Sequence, residues 1–415
     1  MLDGSGLERK LRHTGVFRCL ECGKCTAVCP ISLYDHRFSP RRTVGRALMR
    51  HEADLLLDDR LWACLTCLHC SQVCPAGVAY SDLTQCLRTE AHKLGQSAIC
   101  THGEVIHGWM RMMMDPAIKQ DRMGWLEGKQ TRSGTVERAE QGPQTALQTS
   151  DGSDTLVFVG CAPYFDVKFA NIGVEGNSVP QAVVRILNAL GIAPRVLADE
   201  RCCGHDLLWE GDEHGFRCLA ELNAHLIRES GVKRVITACP ECARALAIDY
   251  PAHGLDLNVE VLHVTQFLAR HGAGNAAWAG LGQKAATVPP KSPLRRVTFH
   301  DPCRLGRHLG AYDAPRRVIG ALGMELIEMP RHGENALCCG TNGWTHCGAA
   351  NKQIQADRLR EAKATGADVL VTACLKCQIH FECARQDRVL ASELKIEIQD
   401  LTTLIADRLD QLASG

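Results

Sequence analysis

Cys202-Cys203-Gly204, two adjacent cysteines closed by a glycine, recurs downstream as Cys338-Cys339-Gly340. Each triplet is the middle of a longer unit. In the first unit Cys161 stands 40 residues before the pair and Cys239-Pro240-Glu241-Cys242 begins 35 residues after it; in the second, Cys303 stands 34 residues before and Cys374-Leu375-Lys376-Cys377 begins 34 after. Matched spacing of this kind is an internal repeat and is read before any single motif. The flanking residues give the fold of each unit. Short apolar runs end at or just before a cysteine: Thr155–Gly160 before Cys161, Val232–Thr237 before Cys239, Val297–His300 before Cys303 and Val369–Thr372 before Cys374. Shorter strands are expected at Arg195–Leu197 and Glu325–Glu328. Helical patterns fall between them, near Pro180–Leu190, Phe216–Ser230, Pro315–Leu322 and Asn351–Thr365. Strands alternating with helices predict a parallel sheet in each unit. Cys161, Cys239, Cys303 and Cys374 then lie just past carboxyl ends of strands, where open α/β sheets gather their ligands.

Five thiols per unit is the informative number. Tetrahedral zinc takes four ligands, and a cubane iron–sulfur cluster normally takes four cysteines. Two adjacent cysteines reach neighbouring irons of one cluster more easily than one metal ion. The economical reading is an unusual cluster with more than four cysteine ligands. The bland alternative, one buried spare thiol per unit, has to produce the same spare twice.

The N-terminal residues carry a second duplicated motif. Cys19, Cys22, Cys25 and Cys29 followed by Pro30 fit C-x2-C-x2-C-x3-C-P, and Cys64, Cys67, Cys70 and Cys74 followed by Pro75 repeat it. In this bacterial ferredoxin run three cysteines bind one cubane and the fourth crosses to the other. The expected ligand sets are therefore Cys19, Cys22, Cys25 and Cys74 for one [4Fe-4S] cubane, and Cys64, Cys67, Cys70 and Cys29 for the second. The rhythm with its proline is not a zinc spacing. Between the motifs, Ser39-Pro40 reads as an N-cap with proline at the first helical position, opening a helix to about His51. Leu55, Leu56, Leu57 and Leu61 continue an apolar helical face, and Arg41, Arg42 and Arg46 read as a solvated one.

From Cys100 to about Gln130 the chain is rich in methionine and tryptophan (Trp109, Met110, Met112, Met113, Met114, Met123, Trp125), which suits adaptable apolar packing against another domain or a partner. Thr131–Asp154 reads as a polar linker and His271–Arg295 as a connector. The expected organisation is thus 1–98, a helical ferredoxin domain; 99–154, a Met-rich arm and linker; 155–285 and 286–415, the two repeated α/β units. The fold class is α+β multidomain.

Composition narrows the function classes. Lys+Arg and Asp+Glu are equal at 47 each, so no basic excess argues for nucleic acid. The 23 cysteines are spread through 415 residues and many sit in C-x-x-C pairs, which favours metal sites in a reducing, cytoplasmic compartment over a disulfide framework. No signal-peptide pattern and no apolar run of membrane-spanning length are read. No G-x-G-x-x-G follows a strand, so flavin or nicotinamide chemistry is expected from partners.

The motifs Val159-Gly160-Cys161, Cys202-Cys203-Gly204-His205-Asp206, Thr237-Ala238-Cys239-Pro240-Glu241-Cys242, His300-Asp301-Pro302-Cys303 and Cys338-Cys339-Gly340 resemble the cysteine-rich CCG domains of heterodisulfide reductase. The N-terminal pair, with Phe38-Ser39-Pro40-Arg41, resembles that enzyme's small ferredoxin component, and the fused order resembles its D subunit. Chains with the same layout include iron–sulfur subunits of glycolate oxidase and of sulfite-reduction-associated membrane complexes. The resemblance implies two noncubane [4Fe-4S] clusters, one on Cys161, Cys202, Cys203, Cys239 and Cys242, the other on Cys303, Cys338, Cys339, Cys374 and Cys377. It also implies a small disulfide or related sulfur substrate between them, and a membrane b-type cytochrome or soluble flavoprotein as redox partner, which would bring the chain to the membrane only peripherally. The rival expectation is an electron-transfer subunit without bond chemistry. His205, His308 and Lys376, beside the cysteines, are candidate proton donors to departing thiolates. Of the remaining cysteines, Cys86, Cys100, Cys218, Cys347 and Cys383, Cys347 is singled out because it follows the second CCG loop.

Overall fold

A computed structural model describes residues 4–49, 52–126, 146–271, 296–387 and 391–413. His51, most of the expected polar linker, nearly all of the 271–295 connector and the expected 285/286 boundary lie outside the described residues. Up to residue 126 the chain is helical. Ser39 caps the Pro40–Leu48 helix through a bond from the Arg42 amide to its hydroxyl, and proline occupies the first turn. Leu55, Leu56 and Leu61 are buried, whereas Leu57 is exposed. Arg46 does not belong to a purely solvated face: it pairs with Asp58 at 2.7 Å.

The two repeated units each form a parallel sheet. In the first, strands β1 (Thr155–Val157), β2 (Arg234–Thr237) and β3 (Glu260–His263) lie in the order β1-β2-β3. The second holds β4 (Arg296–His300), β5 (Glu325–Leu326), β6 (Val369–Thr372) and β7 (Glu397–Asp400) in the order β5-β4-β6-β7. Buried on both faces, β1 and β6 are continuous apolar runs, as parallel strands covered by helices must be. Two expectations need correction. Arg195–Leu197 contributes a single parallel bridge, Leu156 to Arg195, in place of a strand. β3 and β7 were not anticipated, although Leu257–Leu262 and Leu394–Ile398 alternate apolar and polar residues with the period of two that marks a strand. They follow the C-x-x-C loops, beyond the point at which the cysteine repeat ends.

The two units face each other with approximate twofold symmetry. The Ser178–Ala189 helix of the first packs on the Leu401–Ala413 helix of the second; reciprocally, the Val264–His271 helix packs on Asp313–Ala321. An isologous contact of this kind places equivalent surfaces against each other. The methionine arm joins the first unit's core, with Met110, Met113 and Trp125 buried in it, while the N-terminal helices share a core with the second unit. Arg88, fully buried, ties the N-terminal part to the first unit by donating to the carbonyls of Leu61 (2.9 Å) and Cys64 (2.9 Å) on its own side and of Trp209 (2.7 Å) across the contact. Among the described residues no helix is long and apolar enough to cross a membrane.

Candidate functional site

All 23 cysteines are free thiols. In the N-terminal part Cys19, Cys22, Cys25 and Cys74 line one hollow, and Cys29, Cys64, Cys67 and Cys70 line a second, with Cys70 bordering both. Backbone amides point at the sulfurs: Glu21 N to Cys19 Sγ (3.4 Å), Thr66 N to Cys64 Sγ (3.4 Å) and Val78 N to Cys74 Sγ (3.3 Å). Burial pushes the Cys29 thiol up to about 12, so its thiolate needs a cation to persist there.

The first repeated unit gathers its five sulfurs around one apolar cavity. Cys202 touches Cys161 and Cys203, and Cys242 touches Cys203 and Cys239. The second unit repeats the chain of contacts: Cys338 touches Cys303 and Cys339, and Cys377 touches Cys339 and Cys374. The paired-cysteine loops are held alike. Asn223 accepts from Arg201 N (2.9 Å) and donates to Cys202 O (3.0 Å); Asn351 donates to Gly340 O (2.7 Å) and accepts from Gly348 N (3.0 Å). Each loop then turns through a glycine in the left-handed region, Gly204 at φ +80° and Gly340 at φ +85°. A β-carbon would sit 2.9 Å from the Phe216 ring at the first and 2.9 Å from Asn351 O at the second. Only glycine meets both demands.

Between the units, equivalent residues meet. Glu241 and Lys376 occupy the same position within their C-x-x-C loops, and Lys376 Nζ lies 2.5 Å from Glu241 Oε2 and 2.6 Å from Asp206 Oδ1. Burial pushes Glu241 up to about 7 despite the ammonium beside it. Asp206 stays well below the usual carboxylate range, because Lys376 and His205 outweigh its burial. Burial would lower Lys376, but the two carboxylates raise it well above an ordinary lysine. His205, drawn down to about 4 by burial, is a neutral imidazole that accepts from Arg304 Nε at 3.0 Å. His308 lies one step further out, against Arg304, Arg244 and Thr66 O, and does not line the first unit's cavity. Thus His205 and Lys376 come together beside the first group of sulfurs, and His308 does not.

Three features were not legible in the sequence. Glu200, buried, accepts from the amides of Val159 (3.1 Å) and Gly160 (2.7 Å) and pairs with Arg122 (3.0 Å), fixing the strand end that presents Cys161. His300, three residues before Cys303, lies with one nitrogen within 4.8 Å of Cys339 and Cys377, where the first unit has Phe158. Cys67 touches Cys338, so the second hollow of the N-terminal part abuts the second repeated unit. That contact comes first among the causes that bring the Cys67 thiol down to about 6, and Arg307 and Arg304 assist it against burial. The adjacency of Glu200 to the paired cysteines, and the place of His300 in the His300-Asp301-Pro302-Cys303 motif, were the hints along the chain.

His107 gives the assembly a pH dependence. Fully buried, it lies 3.0 Å from Glu210 through one ring nitrogen and 2.6 Å from Gly343 O through the other. Burial alone would depress it, but Cys100 and Glu210 lift it to about 10. A histidine raised in the folded state contributes stability that is complete below its unfolded value of about 6.5 and is lost as pH climbs through the folded one. The thermal midpoint of the wild type should therefore exceed that of His107→Gln most at about pH 6 and below, and the gap should shrink as pH rises through about 10; a constant gap from about pH 6 to about pH 10.5 refutes the assignment.

Eighteen thiols in four groups, with amides directed at sulfur and buried surroundings, are a donor set suited to iron–sulfur clusters rather than to hard cations. Comparison with known families agrees. The cysteine-rich domain family CCG matches residues 155–247 and 297–382, and the 4Fe-4S dicluster domain family matches residues 15–78. Among curated proteins, the D subunit of the dihydromethanophenazine:CoB–CoM heterodisulfide reductase of Methanosarcina barkeri is 29% identical over 94% of this chain and 93% of its own length. An EtfAB:quinone oxidoreductase of Syntrophomonas wolfei is 26% identical over 86% of this chain and 54% of its length. The B subunit of a fumarate reductase (CoM/CoB) from Methanothermobacter marburgensis is 26% identical over 97% and 79%.

Proposed function

We propose that this chain, an iron–sulfur oxidoreductase related to the D subunits of heterodisulfide reductase, receives electrons singly at its N-terminal cubanes and uses two of them to cleave a disulfide or related sulfur bond. The ligand sets are those expected from the sequence: Cys19, Cys22, Cys25 and Cys74; Cys64, Cys67, Cys70 and Cys29; and five cysteines from each repeated unit. The chain divides accordingly into 1–98, 99–154, 155–285 and 286–415. When bound, the noncubane clusters supply iron that stabilises each sulfur as a thiolate. One observation carries the proposal: the five sulfurs of each unit are gathered in one chain of contacts, and the C-x-x-C loops of the two groups meet at Glu241 and Lys376.

The protein's own groups have defined work. Lys376 holds the two loops together and keeps a positive charge beside the place where anionic sulfur forms. Glu200 and Arg122 fix the orientation of Cys161, and Asn223 and Asn351 that of the paired cysteines. The Cys67–Cys338 contact gives electrons a short route from the N-terminal part into the second unit. The redox partner is a membrane cytochrome of b type or a soluble flavoprotein; with the former, the chain sits peripherally at the membrane.

Anaerobically purified protein should carry about sixteen irons, four clusters of four. Reduced with a low-potential donor and mixed with small organic disulfides, it should release two thiols per disulfide. Full iron loading and rapid electron exchange without thiol release would assign the chain to electron transfer alone, and zinc in place of iron would exclude both roles.

A further inference from the structure

A large cavity lies away from the eighteen cysteines. It has a volume of about 870 Å³ and opens between the N-terminal part and the second repeated unit, with Trp62, Ile99, His102, Cys347, Lys352 and Cys383 in its wall. None of the proposed cluster ligands lines it. Two of the five remaining thiols do, and both neighbour one ammonium. Lys352 Nζ donates to Cys383 Sγ at 3.2 Å, and Lys352 also bonds to Cys347. A third group is unfinished. His380, buried and in the same wall, accepts from Gln355 Nε2 at 2.9 Å through Nδ1, and its Nε2 has no partner.

We propose that this cavity is a thiol–disulfide exchange site, separate from the clusters, in which Cys383 beside Lys352 opens a small organic disulfide and Cys347 resolves the product. The chemistry balances without a further reactant. The Cys383 thiolate attacks one sulfur of the disulfide; the sulfur–sulfur bond breaks, and the first thiolate leaves and takes a proton from water. Cys347, deprotonated, then attacks Cys383 Sγ of the mixed disulfide and releases the second thiolate. The small disulfide is reduced by two electrons to two thiols, and the Cys347/Cys383 dithiol is oxidised to a disulfide. Lys352 sets an ammonium beside both sulfurs, and the thiolate is the attacking species. Burial pushes the Cys347 thiol up while Lys352 opposes that rise, as suits a sulfur that acts second. Cys383 lies six residues beyond Cys377 on the Leu375–Arg385 helix, about 9 Å of helical rise from a proposed cluster ligand.

The test uses the full chain with its clusters oxidised, its thiols reduced by a phosphine that is then removed under argon, and no electron donor present. It is therefore independent of turnover at the clusters, and either proposal can fail without the other. Excess 2-hydroxyethyl disulfide is added, and the products are mapped by peptide mass spectrometry. Wild type should release two thiols per chain and acquire a Cys347–Cys383 cross-link. Cys347→Ser should stop at a mixed disulfide on Cys383, and Cys383→Ser should yield neither product at this site. Lys352→Met should slow the first step roughly tenfold, and Lys352→Arg should restore most of it. Adducts spread evenly over the other unassigned cysteines such as Cys218, an adduct on Cys347 ahead of Cys383, or no effect of Lys352→Met would overturn the proposal.

Discussion

Replacing Lys376 by methionine is expected to destabilise the protein by about 3–5 kcal/mol, the cost of leaving buried charges without their partner. The side chain is 3% exposed and faces Asp206 and Glu241, themselves 5% and 12% exposed, so neither carboxylate can turn to water. The loss should appear in thermal unfolding of the anaerobic holoprotein. Adding Asp206→Asn and Glu241→Gln to the same variant should recover most of it, because uncharged partners no longer need the ammonium. If the triple variant is as unstable as Lys376→Met, the lysine acts through packing alone and the cross-unit ion cluster is not the cause.

The second large effect concerns Cys339. Its substitution by serine should remove about four of about sixteen irons, since adjacent cysteines serve one cluster. Disulfide cleavage should fall by more than the roughly 10–100-fold that loss of an outer-shell partner costs. The electron paramagnetic signals of the N-terminal cubanes should survive, because no cysteine of that part is touched. Cys203→Ser should do the same to the first unit. Retention of full iron and activity in both variants would leave Cys203 and Cys339 as core thiols and return the site to a pair of four-cysteine centres.

Cysteine spacing made much of this molecule readable in advance. Ligands within one unit are related by strand and loop lengths, so the distances between Cys161, Cys202 and Cys239 along the chain carry over into space. The helical N-terminal region follows from apolar residues at helical spacing, and the parallel sheets from short apolar runs that alternate with helices. The order of the strands does not, because β3 and β7 lie beyond the repeated cysteines and are short, four residues each. The largest gap was at the seam. Glu241 stands in one C-x-x-C loop and Lys376, singled out only as a proton-donor candidate, in the other, and only docking of the units shows that they are one ion pair. Arg122 was invisible for the same reason: it reaches Glu200 across 78 positions of chain from an arm whose sequence speaks only of apolar packing.

The twofold arrangement of the repeated units explains why they are joined. Two identical polypeptides associating through this surface would bring the same side chain to the axis from both sides, setting glutamate against glutamate or lysine against lysine in a place without water. Tandem linkage lifts that restriction, since each half mutates alone and the two can settle on opposite charges. Severed halves would accordingly recombine only in mixed pairs, and self-association of either one would be electrostatically penalised.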